Sequence, residues 1–304
     1  MSSLGDLFHA LPAVHALKVG LGAEVDWVVN DLYVDLVRAF TDVDQVIAFP
    51  RRRLAAGVRE FRRALRAREY DLIVDLQGLL KSALVAKGAR GRRRIGPSFQ
   101  REGARLFYDE VAGPRNKNRH AVEECLDVVR HLGLPVPPPS FPVRFPNVAV
   151  TGGRPRVALL PCSRQARKNW SPARFVEVAR ALRERQGASL HLLGGPADRP
   201  ACAAIAAGVG AGITDWCGRT SLLKMGGLLR EMDLLVTVDS GPMHVAAAVG
   251  TPVVAVFGPT HPVRTGPFGD AHIVVQRGAD LSTLPAEPVI EAALEQLTRR
   301  TKNR

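Results

Sequence analysis

Two apolar runs, separated by a short turn and a run of small residues, constrain the fold of this chain more than any other feature. The stretch from Leu234 to Thr260 reads LLVTVDSGPMHVAAAVGTPVVAVFGPT. The first apolar run ends at Asp239, a helix is predicted from about Met243, and the second run ends at Gly258. Continuous apolar runs are typical of strands buried on both faces, as parallel strands are. The stretch therefore predicts a strand–helix–strand unit of an α/β fold.

The turn Asp239–Pro242 lies where the first of these strands meets the helix. In an open parallel sheet, this edge is where ligands bind. Ser240 or Asp239 can cap the helix, Pro242 suits its first turn, and the free N–H groups of that turn form an anion site. An ordinary turn, whose Asp and Ser side chains only cap the helix, remains the alternative.

Predicted strands and helices alternate along the whole chain, which indicates doubly wound parallel sheets. The 304 residues exceed the usual size of one hydrophobic core, so two domains are expected. The stretch from Leu134 to Gly153 is rich in proline, ends in a Gly-Gly pair, and is interpreted as the linker. We therefore predict one domain over residues 1–150 and a second over residues 151–304.

The first residues predict a loop, Ser2–Asp6, that enters a helix over Leu7–Val19. Pro12 should kink this helix or mark a later start. A loop of this kind in an α/β protein normally follows a strand, and no strand-like run precedes Ser2 in this sequence. Either the start is misassigned or the sequence is a fragment, so the first strand of the N-terminal domain is expected to be missing.

The formal net charge of +13 suits three kinds of partner, namely nucleic acid, an anionic membrane surface or an anionic substrate. A genome rich in arginine codons is a fourth explanation. The sequence carries no nucleic-acid-binding motif, and its aromatic content of 6% offers few side chains on which bases could stack. Nucleic acid is therefore not expected as a partner.

The sequence contains no apolar run approaching the ~20 residues that cross a bilayer, and no signal peptide is visible. Its four cysteines are spaced without a metal-ligand pattern, which predicts reduced thiols in a cytosolic protein. We therefore expect a cytoplasmic protein that binds no metal.

Five loops of the second half follow predicted strands, so they are expected at one edge of a parallel sheet. The loop 161–170 brings three cations and a hydroxyl group to a helix start. Lys168, as a point charge, and Ser163, as a donor, suit phosphate oxygens there. A solvated basic loop is the alternative. The other four loops are 194–198, 217–221, 239–244 and 258–260.

In the loop 194–198, the glycines allow a ligand to approach the backbone, and Asp198 suits ribose hydroxyls. A plain turn has the same pattern. The loop 217–221 is interpreted as a loop with a helix N-cap, and 258–260 as a turn.

In the first half, Asp6 can serve as a general base or as part of a helix cap, and His9 is interpreted as a packing residue. An arginine-rich helix and the residues before it suit an anionic acceptor or an anionic bilayer, with a solvated helix as the alternative. The arginines are Arg51, Arg52, Arg53, Arg59, Arg62, Arg63 and Arg66, of which Arg59, Arg62 and Arg63 are predicted to bind the acceptor.

Four motifs carry a family resemblance: SSLGDLFHALPA at 2–13, YDLIVDLQGL at 70–79, KNW at 168–170, and DSGPMH at 239–244 followed by GPT at 258–260. In this order and spacing, they resemble the lipopolysaccharide heptosyltransferases of glycosyltransferase family 9, with heptosyltransferase I the most similar branch.

The resemblance implies a GT-B fold, in which two Rossmann-like domains face a cleft. The N-terminal domain would bind the acceptor and the C-terminal domain the nucleotide-sugar. It implies transfer of L-glycero-D-manno-heptose from ADP-heptose to the Kdo-bearing inner core of lipopolysaccharide, with inversion and without a metal or cofactor. Partners would be the ADP-heptose donor, an anionic Kdo-lipid A acceptor and the inner face of the inner membrane, which the enzyme would contact peripherally.

By position, Asp6 corresponds to the proposed catalytic base of the family. Asp198 stands where a relative carries glutamate, and Arg164 replaces a hydroxyl residue. A GT-B transferase for another sugar and a non-catalytic nucleotide-sugar-binding paralogue remain the alternatives. The positions that correspond to donor contacts are Ser163, Lys168, Asp198, Thr220, Asp239, Ser240, Gly241 and His244.

Overall fold

A computed structural model describes residues 3–116 and 118–302. The chain divides into two compact units, Met1–Arg144 and Phe145–Arg304. Each unit alternates strands with helices, and all pairs of the strands named below are parallel. The predicted α/β class with parallel sheets is therefore confirmed.

Unit 1 contains five helices and five strands in the part of the chain that is described. They are α1 (Leu4–Leu21), β1 (Asp26–Asn30), α2 (Val34–Arg38), β2 (Gln45–Phe49), α3 (Leu54–Leu65), β3 (Glu69–Val74), α4 (Leu80–Gly88), β4 (Arg90–Pro97), β5 (Glu110–Ala112) and α5 (Ala121–His131).

The first helix begins earlier than Pro12, so the prediction of a late start is wrong. A capping box fixes the beginning of α1, because the Ser3 hydroxyl accepts from the Asp6 amide while the Asp6 carboxylate accepts from the Ser3 amide. The helix ends at Gly22, which adopts the left-handed conformation at φ 60°. Pro12 lies inside the helix, where burial of nearly all the surrounding side chains favours helical continuity.

The strands of unit 1 form two separate parallel sheets, β1-β2 and β3-β4-β5. Within the described residues, β1 pairs only with β2, and β3 pairs only with β4. Residues of β1 and β3 line one cavity of about 860 Å3.

Unit 2 is organised around a single sheet of six strands. Its elements are β6 (Arg156–Leu160), α6 (Pro172–Gln186), β7 (Ser189–Leu192), α7 (Arg199–Val209), β8 (Ile213–Asp215), α8 (Leu222–Arg230), β9 (Leu234–Val238), α9 (Gly241–Ala248), β10 (Val253–Phe257), α10 (Pro262–Thr265), β11 (His272–Gln276) and α11 (Glu287–Lys302).

The strand order of unit 2 is β11-β10-β9-β6-β7-β8. If β6 is counted as the first strand of the unit and the sheet is read from β8, the order becomes 3-2-1-4-5-6. This is the strand order of dinucleotide-binding sheets. Every residue of β9 and β10 is buried, which confirms the prediction of two fully buried strands. The core on one face of the sheet includes Phe175, Leu182 and Ile205, from α6 and α7.

The described residues, 3–116 and 118–302, include no helix that is both long enough and apolar enough to cross a membrane.

Candidate functional site

The strand order of unit 2 determines the edge of its sheet at which a ligand is expected to bind, called the ligand edge below. The order reverses between β6 and β9, which are neighbours in the sheet. Loops leave such a pair in opposite directions and open a crevice outside the carboxyl ends of the strands. The loop after β6 carries Lys168, and the loop after β9 carries Asp239, so the switch point brings together two residues that lie far apart in the sequence.

Lys168 and Asp239 form an ion pair, with 2.6 Å between Nζ and Oδ2. Both side chains are largely buried, with exposed fractions of 16% and 8%. Lys168 is positioned by a single 3-10 turn, Ala166–Lys168, in which its amide donates to the Gln165 carbonyl at 2.9 Å. Lys168 is therefore not a solvated residue of a basic loop, which was the alternative interpretation. Arg167 is solvated: it is exposed, and its guanidinium contacts Gln165.

Thr260 is a third member of this cluster. Its hydroxyl donates to Asp239 Oδ2 at 2.6 Å. The side-chain amide of Gln276 holds the Thr260 loop by donating to the carbonyls of Gly258 and Thr260, at 2.8 and 3.0 Å. From the sequence, this loop was interpreted only as a turn. Its position directly after β10, the strand beside β9, could have indicated that it lies near Asp239, because neighbouring parallel strands end at the same edge.

Neither Asp239 nor Ser240 caps α9 with its side chain. Ser240 occupies the N-cap position, but its hydroxyl lies 3.2 Å from the Thr237 hydroxyl and makes no capping bond. The alternative that these two side chains only cap the helix is therefore wrong. In the first turn, Pro242 has no amide hydrogen and the Met243 amide donates to the Ser240 carbonyl at 3.2 Å, which leaves the Gly241 amide for an anion. His244 lies one turn along the same helix and is buried.

The loop after β7 is shaped by Asp198, which accepts from the Gly195 amide at 2.7 Å. The carboxylate therefore stabilises the turn, and its predicted role toward ribose stays a prediction. A Cβ atom on Gly194 would lie 2.9 Å from Cys217 Sγ and 3.2 Å from Cys202 Sγ. The lack of a side chain at Gly194 makes room for two thiols beneath the loop.

Three cysteines that are distant in the sequence gather around this loop. Cys217 Sγ donates to the Gly195 carbonyl at 3.3 Å, and Cys202 lies beneath the same loop. Burial, and then the negative charge of Asp198, raise the pKa of the Cys162 thiol to about 11. All three thiols are free, and sequence spacing gave no signal that they meet. The described part of the chain holds no group of three or more His, Cys, Asp or Glu side chains that could bind a metal ion.

Ser163 and Thr220, the two remaining predicted donor residues, lie on loops of the same edge. The Ser163 amide donates to the Asn169 side chain at 2.7 Å, which fixes the start of the Lys168 loop. Thr220 is partly exposed and precedes Ser221, whose hydroxyl accepts from the Lys224 amide at 3.2 Å. The predicted N-cap in this loop is confirmed.

In unit 1, Asp6 is shared between a helix cap and the end of β3. Its Oδ2 atom accepts from the Ser3 amide at 2.8 Å and from the Gln77 side chain at 3.3 Å. Gln77 follows β3 and was not singled out from the sequence. His9 packs edge-on against the His120 ring, with centroids 5.5 Å apart.

The three arginines predicted to bind the acceptor are all exposed on α3. Arg62 and Arg63 follow Arg59 by three and four residues, which places all three side chains on one side of the helix. Their role in binding the acceptor stays a prediction. They are Arg59, Arg62 and Arg63.

The strand order of unit 2 defines the class, an α/β protein of doubly wound type, and the Lys168–Asp239 ion pair lies at its switch point. The family follows from comparison with known proteins. A model of glycosyltransferase family 9 (heptosyltransferase) matches residues 58–285. The chain belongs to glycosyltransferase family 9, and it is a glycosyltransferase.

Relatives resemble the chain over nearly its whole length. Lipopolysaccharide heptosyltransferase 1 of Pseudomonas aeruginosa is 31% identical, over 93% of this chain and 83% of the relative. The structure of E. coli heptosyltransferase WaaC with ADP is similar, with a TM-score of 0.84 and 27% identity over 97% of this chain and 98% of that chain. The same enzyme with ADP-2-deoxy-2-fluoro heptose gives a TM-score of 0.82 at 27% identity, over 99% and 98% of the two chains.

Proposed function

We propose that this glycosyltransferase moves L-glycero-D-manno-heptose from ADP-heptose to the Kdo-bearing inner core of lipopolysaccharide. The similarity to lipopolysaccharide heptosyltransferase 1 supports the choice of reaction. The similarity to WaaC with ADP, and with a fluorinated ADP-heptose, supports the choice of donor.

The observation that carries the proposal is the Lys168–Asp239 pair beside the uncapped first turn of α9. An ammonium group and the N-terminus of a helix at one edge suit the two phosphates of ADP. Asp239, which also accepts from the Thr260 hydroxyl, holds the Lys168 side chain in place before the donor arrives, so little reorganisation is needed on binding.

The same groups can assist the departure of ADP. As the bond between the anomeric carbon and the phosphate oxygen breaks, negative charge grows on the diphosphate. Lys168 and the N-terminus of α9 stabilise this charge in the way a metal ion does in other transferases. We therefore propose that transfer proceeds without a metal and persists in a chelator such as EDTA.

Asp6 is proposed as the general base that takes the proton from the acceptor hydroxyl. A single displacement with one base inverts the configuration at the anomeric carbon. Asp6 Oδ2 already accepts two hydrogen bonds, which orient the carboxylate and leave its second oxygen for the proton.

The exposed arginines of α3 are proposed to bind the anionic acceptor. Guanidinium groups pair with the carboxylate and phosphate groups of Kdo-lipid A. Because that acceptor sits in a bilayer, we also propose that the enzyme works at the cytoplasmic face of the inner membrane as a peripheral protein.

A panel of ADP, UDP and GDP sugars tests the donor assignment. We expect ADP-heptose and ADP to raise the melting temperature, and the UDP and GDP sugars to leave it unchanged at equal concentration. Transfer to Kdo-lipid A should then be detected with ADP-heptose, in the presence and absence of EDTA. A preference for another nucleotide would contradict the donor, and binding without transfer would indicate a non-catalytic paralogue.

A further inference from the structure

Unit 1 contains a buried tyrosine–aspartate pair that the proposed reaction has not yet used. The Tyr108 hydroxyl donates to Asp75 Oδ2 at 2.6 Å. Tyr108 is 5% exposed and Asp75 is 6% exposed. Burial of a carboxylate is costly unless hydrogen bonds compensate for the lost water. The other partners of Asp75 indicate what this pair holds in place.

The second oxygen of Asp75 holds the turn that follows β3. Asp75 Oδ1 accepts from the backbone amides of Gln77 and Gly78, at 2.8 and 3.1 Å. Since β3 ends at Val74, these bonds lie at the carboxyl end of the strand. The Asp75 carboxylate therefore links the backbone of this turn to the Tyr108 hydroxyl.

The Tyr108 ring lies in a closely fitting space. A Cβ atom on Gly96 of β4 would overlap the ring, so the lack of a side chain there makes room for it. The small side chains of Ala83 and Ala104 belong to the same buried cluster. Burial, and then the negative charge of Asp75, raise the pKa of the Tyr108 hydroxyl, which therefore stays protonated and donates. A ring enclosed in this way offers Asp75 a fixed donor.

The turn held by Asp75 carries a side chain that contacts the proposed general base. The side-chain amide of Gln77 donates to Asp6 Oδ2 at 3.3 Å. The same oxygen accepts from the Ser3 amide at the start of α1. Two elements therefore meet at Asp6, and both determine where its carboxylate points. Small errors in the position of a reacting group are costly for the rate.

We propose that Tyr108 and Asp75 are positioning residues for the general base and act through Gln77. This inference rests on the proposed role of Asp6. The buried pair fixes the backbone of the turn, the turn fixes the Gln77 amide, and the amide holds the Asp6 carboxylate with its other oxygen toward the acceptor hydroxyl. Tyr108 and Asp75 act without contacting the substrate.

The chain offers a matched control in a second tyrosine–aspartate pair. The Tyr70 hydroxyl donates to Asp26 Oδ2 at 2.7 Å, and the Asp26 side chain is 7% exposed. Tyr70 lies near the amino end of β3, the end opposite the turn that contacts Asp6. Tyr108→Phe and Tyr70→Phe each remove a hydroxyl that donates to a buried carboxylate. Only the first substitution removes support from Gln77.

A double-mutant cycle tests whether Tyr108 acts through Gln77. Transfer from ADP-heptose to Kdo-lipid A is measured for Tyr108→Phe, Gln77→Leu and the double variant, well below the melting temperature of each. We expect each single substitution to lower kcat ~5- to 20-fold. In Tyr108→Phe, the acceptor KM and the affinity for ADP should stay within about twofold, as should the kcat of Tyr70→Phe. The double variant should lose no more activity than Gln77→Leu alone, because both changes act on one contact.

A second measurement needs no substrate. Hydrogen exchange of the Gln77 and Gly78 amides is followed by NMR, with the β9 amides as an internal reference. Both amides should exchange ~5-fold faster, or faster still, in Tyr108→Phe than in the wild type and in Tyr70→Phe.

Unchanged kcat or unchanged amide exchange in Tyr108→Phe would overturn the inference, as would losses that multiply in the double variant or equal effects of the two tyrosine substitutions. Transfer that is lost in Asp6→Asn but retained in Tyr108→Phe would overturn this inference and leave the proposed function standing. No transfer by the wild type would contradict the proposed function and this inference together.

Discussion

Lys168 and Asp239 face each other across the point at which the sheet of unit 2 reverses its strand order, with 2.6 Å between Nζ and Oδ2. The two residues stand 71 positions apart in the chain. Thr260 contacts the same carboxylate oxygen from a third loop. A buried carboxylate with two donors is well stabilised, and it holds the ammonium group at the ligand edge.

Thr260→Val should lower the free energy of unfolding by about 1–2 kcal/mol, because the buried Asp239 carboxylate loses a hydrogen bond. Urea unfolding measures the change. The matched control is Thr265→Val at the end of α10, where the hydroxyl makes a solvent-exposed hydrogen bond to the His261 carbonyl; this substitution should cost less than about 0.5 kcal/mol. Equal effects of the two substitutions would contradict a special role for Thr260.

Cys162 should react slowly with iodoacetamide. Its pKa of about 11 lies above the usual value, so the neutral thiol is favoured and little thiolate exists at pH 8. We expect alkylation at pH 8 about 100-fold slower than that of a free cysteine peptide, with the rate rising as the pH approaches 11. Mass spectrometry of the Cys162 peptide measures both rates.

Asp198→Asn provides the control for Cys162, because it removes the negative charge that ranks second to burial in raising the thiol pKa. The substitution should accelerate alkylation at pH 8. A wild-type rate equal to that of the free peptide would refute the environment described for this thiol.

Asp6→Asn should reduce heptose transfer by about 100-fold or more, because an amide cannot take the acceptor proton. The affinity for ADP should stay within about twofold. The Asn oxygen can still accept from the Ser3 amide, so the helix cap is retained. Steady-state rates and calorimetry separate the two effects.

Ser3→Ala tests whether any loss in the Asp6 variant comes from the cap alone. It removes the hydroxyl that accepts from the Asp6 amide, and it should cost about 0.5–2 kcal/mol of stability. Transfer measured well below the melting temperature should change little. A large loss of transfer in Ser3→Ala, with none in Asp6→Asn, would argue against Asp6 as the base.

Local patterns were sufficient to predict the central unit of the fold. The apolar runs before Asp239 and Gly258 indicated buried parallel strands, and β9 and β10 are buried at every position. The short strands β5 and β8 were not predicted, because three residues carry too little periodicity. In unit 1, the described strands form two sheets rather than the one doubly wound sheet expected for each domain.

Side-chain partners at the site could be predicted less well than its loops. The sequence placed Lys168 and Asp239 at one edge but could not pair them, since pairing depends on the strand order of the whole sheet. Three cations in one loop look alike in the sequence, whereas the structure separates buried Lys168 from exposed Arg164 and Arg167. The convergence of Cys162, Cys202 and Cys217 on one loop is likewise a long-range property.

Calorimetric titration of ADP into the wild type, Lys168→Met and Arg167→Met tests most directly whether the switch-point cation binds the donor. Lys168→Met keeps most of the side-chain volume and removes the charge, while Arg167→Met removes an equal charge from an exposed position of the same loop. We predict that Lys168→Met weakens ADP binding about 10- to 100-fold, and that Arg167→Met changes it less than about threefold. Equal affinities in all three proteins would contradict the account.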